Sequence, residues 1–354
     1  MEVTGILDNA RKLNGLSKDE IAQLLSVDDG LTLSEILKAA DEVKEQVFGK
    51  RISIFAPIYL TNECINNCLY CGFRVDNRLL KRRTLSLDEI LKEAGVLSEQ
   101  GHKRVLLVSA ENPREASAEL VAEIVDAIYE RTILKTISVN MAPLSCEDFK
   151  ILSNSKIWAY QSFQETYSES QYKKLHPKGK KADFNWRIST MDRALFSGIK
   201  HIGMGFLFGL YDYRFEVLAL VDHINSLKEK FGVYPYNISI PRLRPALGAV
   251  LTEAPYPVSD SEFKKITAIL RLALPSVEIA LSTRETKELR NEMVKIGVTQ
   301  MSAGSRTSPG GYTAPEFEYD KSQFAIEDIR TIDEVIRDLN NLGLIPEVDY
   351  EAVK

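Results

Sequence analysis

RISIFAPIYLTNECINNCLYCGFR (51–74) carries two signals in direct succession. Its first part, ISIFAPIYL (52–60), is an apolar run rich in β-branched and aromatic residues, as a strand buried on both faces requires. The second part places cysteines at 64, 68 and 71, a C-x3-C-x2-C spacing with Tyr70 just before the third. Thiolates suit soft iron–sulfur clusters, and an ordinary cubane takes four of them. Three close cysteines with no obvious fourth leave one iron with an open coordination position, able to bind a substrate. A zinc site of three cysteines plus a histidine or carboxylate is the competing reading. His102 is the closest histidine in sequence, whereas zinc sites usually draw their ligands from two close pairs.

Outward from this stretch, short apolar runs alternate with amphipathic segments. The strand candidates are 52–60, RVLLVSA (104–110), TISVNMA (136–142), WAYQSFQ (158–164), HIGMGFLFG (201–209), NISIPRL (237–243), VEIALST (277–283) and TQMSAG (299–304). Helical patterns such as LDEILKEAGVLSEQG, AELVAEIVDAIYERT and FEVLALVDHINSLKEKFG lie between them, and TIDEVIRDLNNLG (331–343) follows the last. Eight βα units predict an α/β fold of the (β/α)8 TIM-barrel type, with its active site at the carboxyl ends of the strands. An open doubly wound sheet is the alternative that the same alternation permits. Residues 1–49 read as helices, LSKDEIAQLL and LTLSEILKAADEVKEQVF behind Ser and Thr caps. The expected division is a helical N-terminal extension (1–49) and one catalytic barrel domain (50–354).

The 354 residues are 44% hydrophobic with a net charge of -5, the composition of a globular chain with a large core. Lys/Arg and Asp/Glu are interspersed, which argues against a nucleic-acid surface. No run reaches the roughly 18 apolar residues of a membrane span, and the start MEVTGILDNARK has no signal-peptide core. The expected location is the cytoplasm. Four cysteines in so long a chain cannot form a disulfide scaffold. Cys146, in PLSCEDFK, reads as a packing residue at a helix start.

The cysteine segment resembles the signature of the radical S-adenosylmethionine superfamily. The resemblance implies that Cys64, Cys68 and Cys71 hold a [4Fe–4S] cluster, that S-adenosyl-L-methionine is the second cofactor, and that Tyr70 lies near its adenine. Further segments, GHKRVLLVSAENP, YQSFQETY, HPKGKKADFNWR, GMGFLFGLYD, ISIPRLRPA, LSTRE and SAGSRTSPGGY, are similar to the aromatic amino acid lyase branch. That branch includes 2-iminoacetate synthase and the tyrosine lyase of hydrogenase maturation. By position, Glu111 would accept from the ammonium of S-adenosylmethionine, following Ser109 and Ala110 where the superfamily keeps two glycines. Glu165 would hold the methionyl or ribose part, Arg187 the methionyl carboxylate, and Gly205 and Gly209 would let backbone approach the adenine. Arg284 and Ser302 would hold the carboxylate and amino ends of an amino acid substrate.

The implied reaction is Cα–Cβ cleavage of L-tyrosine to 2-iminoacetate (dehydroglycine) and p-cresol, with a flavodoxin or ferredoxin as electron donor. The chain has no cysteine after Cys146, so the expected product is released unprocessed or passed to a downstream protein. Tyr236 and Asn237 stand where the hydrogenase-type enzyme has a histidine, which leaves the choice between tyrosine and tryptophan open. Another radical reaction, or a non-catalytic cluster or zinc carrier, are the remaining alternatives; each side chain named here also has a plainer reading as an ion pair or a satisfied core hydroxyl.

Overall fold

In the computed structural model, which describes residues 2–314 and 319–349, three helices lead into the sheet: α1 (Val3–Ala10), α2 (Lys18–Leu25) and α3 (Gly30–Phe48). Strands and helices then alternate as β1 (Arg51–Thr61), α4 (Leu87–Glu99), β2 (Arg104–Ser109), α5 (Ala118–Arg131), β3 (Thr136–Asn140), α6 (Cys146–Asn154) and β4 (Tyr160–Gln161). After β4 come α7 (Glu169–Leu175), α8 (Phe184–Ile188), α9 (Thr190–Phe196), β5 (Ile202–Gly205), α10 (Tyr213–Phe231), β6 (Asn237–Ser239) and α11 (Asp260–Ala273). The chain continues through β7 (Glu278–Leu281), α12 (Lys287–Met293), β8 (Gln300–Ser302), α13 (Ile332–Asn341) and β9 (Ile345–Glu347).

All the ladders between named strands are parallel, and β1 closes the ring. It pairs with β8 from Ser53 to Phe55 and with β2 from Ala56 to Thr61. The architecture is a (β/α)8 barrel, and closure on both edges of β1 excludes the open sheet. β9 was not expected from the sequence. It lies beside Arg51–Ser53, the stretch of β1 that β2 does not reach. The fourth strand is shorter than the expected 158–164, because only Tyr160 and Gln161 lie in the ladder. Backbone bonds from Ser162 to Gly203 and from Gln164 to Gly205 carry the chain on, until Glu165 turns into the left-handed region at φ 69°.

Local chemistry sets the helix starts. Ser17, Ser86, Ser259 and Thr331 each form a capping box with the glutamate three residues on. The N-terminal helices share one apolar core with the barrel, from Ile6 and Val43 to Ile269 and Val298. Two buried lysines tie them down: Lys44 donates to the Val294 carbonyl at 2.6 Å, and Lys265 to the Val27 carbonyl at 2.8 Å.

Gly205, in register with Ser239, shows how tightly β5 and β6 approach. A Cβ there would lie 2.0 Å from the Ser239 carbonyl oxygen, so a side chain forces the ladder apart. Gly205→Ala should lower the unfolding free energy by ~3 kcal/mol, the range of a severe overpacking. Denaturant unfolding measures it, and a change within experimental error refutes the steric account.

Candidate active site

The carboxyl ends of the strands carry the charged and sulfur-bearing residues. Cys64, Cys68 and Cys71 lie in the loop that leaves β1, and all three line one cavity inside the barrel mouth. None is in a disulfide. The Asn66 and Phe73 backbone N–H groups donate to the sulfurs of Cys64 and Cys71, at 3.5 and 3.4 Å, and the Gln323 amide faces Cys71 Sγ at 3.9 Å. Burial, reinforced by Glu111, pushes the Cys64 thiol up to about 11, and burial raises Cys68 and Cys71 as well. Thiols so placed ionise when a metal cation supplies the missing positive charge. Cys146 opens α6 behind its Ser145 cap and does not line the cavity.

Beside the cysteines stands a quartet of alternating charge. Lys181 Nζ is 2.6 Å from Glu165 and 3.8 Å from Glu111; Arg187 pairs with Glu111 and reaches Glu165 at 3.7 Å. Arg187 also donates to the Phe163 carbonyl at 2.9 Å, and Asn66 donates to Glu111 at 2.8 Å. Burial alone would raise both carboxyls, but Arg187 and Lys181 outweigh it and hold Glu111 and Glu165 below the usual range. Two cations and two carboxylates in one pocket match the charges of an amino acid head group.

Lys181 is absent from the sequence assignment. In HPKGKK it reads as one more solvated lysine, yet its side chain is 10% exposed. The turn at Gly179, φ 93°, packs against Asn66, whose side chain accepts the Lys181 backbone N–H at 2.9 Å. Glu216 was missed for the same reason. It is buried in the first turn of α10, where it accepts the Thr166 hydroxyl and, at 2.8 Å, the Tyr167 N–H. It thereby clamps the two residues that follow the left-handed Glu165.

Tyr70 lines the cavity beside the cysteines. His176 Nδ1 donates to the Tyr172 carbonyl at 2.8 Å, so its Nε2 is free to accept the Tyr70 hydroxyl, also at 2.8 Å. Burial, with Lys181 nearby, pushes His176 down to about 3, so the ring is neutral. Arg284 also lines the cavity, its guanidinium 3.4 Å over the Phe324 ring. Among the described residues no carboxylate lies within ion-pair distance of it. Ser302 is 2% exposed, and among the described residues its hydroxyl has no hydrogen-bond partner. Gly205 and Gly209 do not line the cavity. The structure gives them backbone roles instead, the β5–β6 approach and a turn at φ 104° against Ala254.

The cavity runs down to the first residues of β2, β3, β6 and β8: Arg104, Thr136, Asn237 and Gln300. A TIM interior is ordinarily filled by aliphatic layers, whereas this floor is polar. Gln161 donates to the Tyr236 hydroxyl and Asn237 to Gln300, both at 3.0 Å.

Comparison with known proteins agrees with this geometry. The Radical SAM superfamily matches residues 58–222, and the Biotin and Thiamin Synthesis associated domain matches 239–345. The 2-iminoacetate synthase of Escherichia coli (strain K12) is 33% identical over 344 residues, covering 96% of this chain and 89% of that protein. The chain belongs to the radical SAM superfamily. It is a radical SAM lyase, related to 2-iminoacetate synthase and to HydG. The crystal structure of HydG, a maturase of the [FeFe]-hydrogenase, superposes with a TM-score of 0.94 at 40% identity, covering 98% of this chain and 76% of that one. HydG from Carboxydothermus hydrogenoformans gives 0.93 at 42%, covering 99% and 80%.

Radical SAM enzymes use a [4Fe–4S] cluster and S-adenosylmethionine, and the residues present fit both. Among the described residues no three His, Cys, Asp or Glu side chains converge on a single-ion site, as the zinc reading would need. A cubane takes each thiolate on a separate iron, so its three sulfurs need not converge on one point. Also among the described residues, no helix is long and apolar enough to cross a membrane.

Burial pushes the Glu216 carboxyl up to about 7, against the pull of Thr166 and Tyr167. A carboxyl raised in the folded state stabilises the protein below its unfolded pKa, and that contribution is lost as pH rises through the folded value. From pH 5 to pH 8, unfolding free energy should therefore fall more in the native protein than in Glu216→Gln, where an amide keeps the acceptor without titrating. Urea titrations at both pH values test this, and parallel pH slopes would rule out a titrating Glu216.

Proposed function

We propose that the chain cleaves the Cα–Cβ bond of L-tyrosine to 2-iminoacetate and p-cresol, with residues 50–354 as the catalytic unit, in a reducing cytoplasm. The observation that carries this reading is Arg284, a half-buried guanidinium in the cavity wall with no carboxylate partner among the described residues. A cation so placed costs free energy unless an anion joins it, and the carboxylate of an amino acid substrate supplies one.

When bound, the [4Fe–4S] cluster and S-adenosylmethionine together supply a 5′-deoxyadenosyl radical through one-electron cleavage of a carbon–sulfur bond. Cys64, Cys68 and Cys71 hold the cluster. Glu111 and Glu165 face the methionyl ammonium, Arg187 and Lys181 its carboxylate, and Tyr70 sits beside the adenine. Arg284 would take the substrate carboxylate and the unpartnered Ser302 hydroxyl its amino group, which together would fix the head of the substrate in the cavity. Fixed placement of this kind supplies much of the rate advantage of an enclosed site. The Tyr236–Gln161 pair and Asn237 offer a polar floor to the ring of the substrate, which favours a phenol over an indole. The ring fragment leaves as p-cresol after gaining one electron and one proton, the electron from the donor that primes the cluster.

Anaerobic reconstitution with iron and sulfide, followed by reductant, S-adenosylmethionine and either tyrosine or tryptophan, tests the reading. Tyrosine should give p-cresol together with 5′-deoxyadenosine. Turnover of tryptophan alone, or deoxyadenosine with some other tyrosine product, would overturn it. Arg284→Ala should lower kcat/KM for tyrosine roughly a hundredfold, the scale of a truncated buried charge pair, while slow uncoupled cleavage of S-adenosylmethionine persists. Equal loss of both activities removes Arg284 from the substrate site.

A further inference from the structure

Two basic stretches separated by ninety residues meet on the outer side of the cysteine loop. RVDNRLLKRR (74–83) carries five cations and one carboxylate, and KKLHPKGKK (173–181) carries five cations and none. With these at +4 and +5 in a chain of net -5, the remaining residues carry -14. Along the sequence the charges read as interspersed; the fold brings both stretches to one loop, where Lys181 turns into the cavity and Arg83 pairs with Glu89.

Both stretches are sewn to the loop by hydrogen bonds. The Asn67 and Leu69 N–H groups donate to the Lys178 and Leu175 carbonyls, each at 3.0 Å. Arg82 donates to the carbonyls of Asn62 and Arg74 at 2.6 Å and of Phe73 at 2.9 Å. Lys81, Lys173 and Lys178 pair with Asp320, Glu169 and Asp76. Arg78, Lys174 and Lys180 are exposed, and among the described residues none of them has a carboxylate within ion-pair distance. Two exposed aliphatic side chains stand among the charges: Leu79, 63% exposed, and Val250, 58% exposed, whose N–H donates to the Leu69 carbonyl at 2.7 Å. An apolar centre with a charged rim is the anatomy of a transient interface.

We propose that this face docks an acidic one-electron carrier protein. The reaction class consumes an electron at the cluster for each cleavage of S-adenosylmethionine, and the loop of residues 62–74, bonded to both basic stretches, is the cavity wall that carries the three cysteines. A positive collar on an otherwise negative molecule steers an acidic partner to that wall and orients it there, raising the association rate at low salt. The donor loses one electron and the cluster gains it; no atom is transferred. The inference holds whichever amino acid the enzyme cleaves.

The test uses the reconstituted holoenzyme with a purified acidic flavodoxin as probe. The wild-type dissociation constant, from calorimetry, should rise at least about fivefold between 50 and 300 mM salt, as screening lengths of roughly 10 Å or less require. The triple variant Arg78→Glu/Lys174→Glu/Lys180→Glu should weaken binding at least about tenfold and slow flavodoxin-driven deoxyadenosine formation in proportion. Its iron content and dithionite-driven rate should stay within twofold of wild type, and the corresponding triple alanine variant should fall between. Unchanged flavodoxin binding in the charge-reversed protein overturns the proposal, as does an equal loss of the dithionite-driven rate. So does a DNA duplex that binds wild type more tightly than flavodoxin and is lost in the variant while flavodoxin binding survives, which would mark a nucleic-acid surface.

Discussion

Hydrogen bonding on both edges of β1 is the constraint on which the rest of the molecule rests. β8 and β9 pair with its first half and β2 with its second, so its register cannot slip without breaking three ladders. The chain passes from the last residue of this strand directly into the cysteine loop. Thr61 bridges to Thr84 through their hydroxyls at 2.7 Å, and Arg82 spans the interior of the loop with bonds to three of its carbonyls. Three thiols therefore face the cavity from a segment clamped at both ends.

Beside the cysteines charge is concentrated in the cavity wall. Removing each ion from water costs several kcal/mol, and opposite charges ~4 Å apart recover about 4 kcal/mol at an effective dielectric near 20. Glu111, Glu165, Lys181 and Arg187 satisfy one another within those limits. Glu165 does so from a left-handed backbone that costs on the order of 1–3 kcal/mol in a residue with a side chain. The Glu216 clamp on Thr166 and Tyr167 offsets that strain. Arg284 stands apart, resting on Phe324, with no carboxylate within ion-pair distance among the described residues.

The two ends of the cavity divide the chemistry. Sulfur and the charged quartet occupy the mouth, while Gln161, Tyr236, Asn237 and Gln300 replace the usual aliphatic filling below. The barrel wall between the two ends shields the cavity from solvent donors.

Much of this was legible in the order of the residues. The eight strand signals, the capping boxes and the C-x3-C-x2-C spacing depend on neighbours a few positions apart, so the sequence by itself determined the barrel class and brought the three cysteines into one loop. Glu111, Glu165, Arg187, Arg284 and Ser302 were also placed in advance, by likeness to a family motif. Lys181 and Glu216 were not, since their burial comes from segments far away in the chain and a lysine among lysines carries no local mark. Gly205 and Gly209 drew attention for a ligand, yet what demands glycine there is the packing of Ser239 and Ala254. The ninth strand, the left-handed turn at Glu165, the polar floor and the joined basic stretches were decided by tertiary structure alone. Each of them arises where parts of the chain remote in sequence are brought within a few ångströms, and no local pattern encodes that meeting.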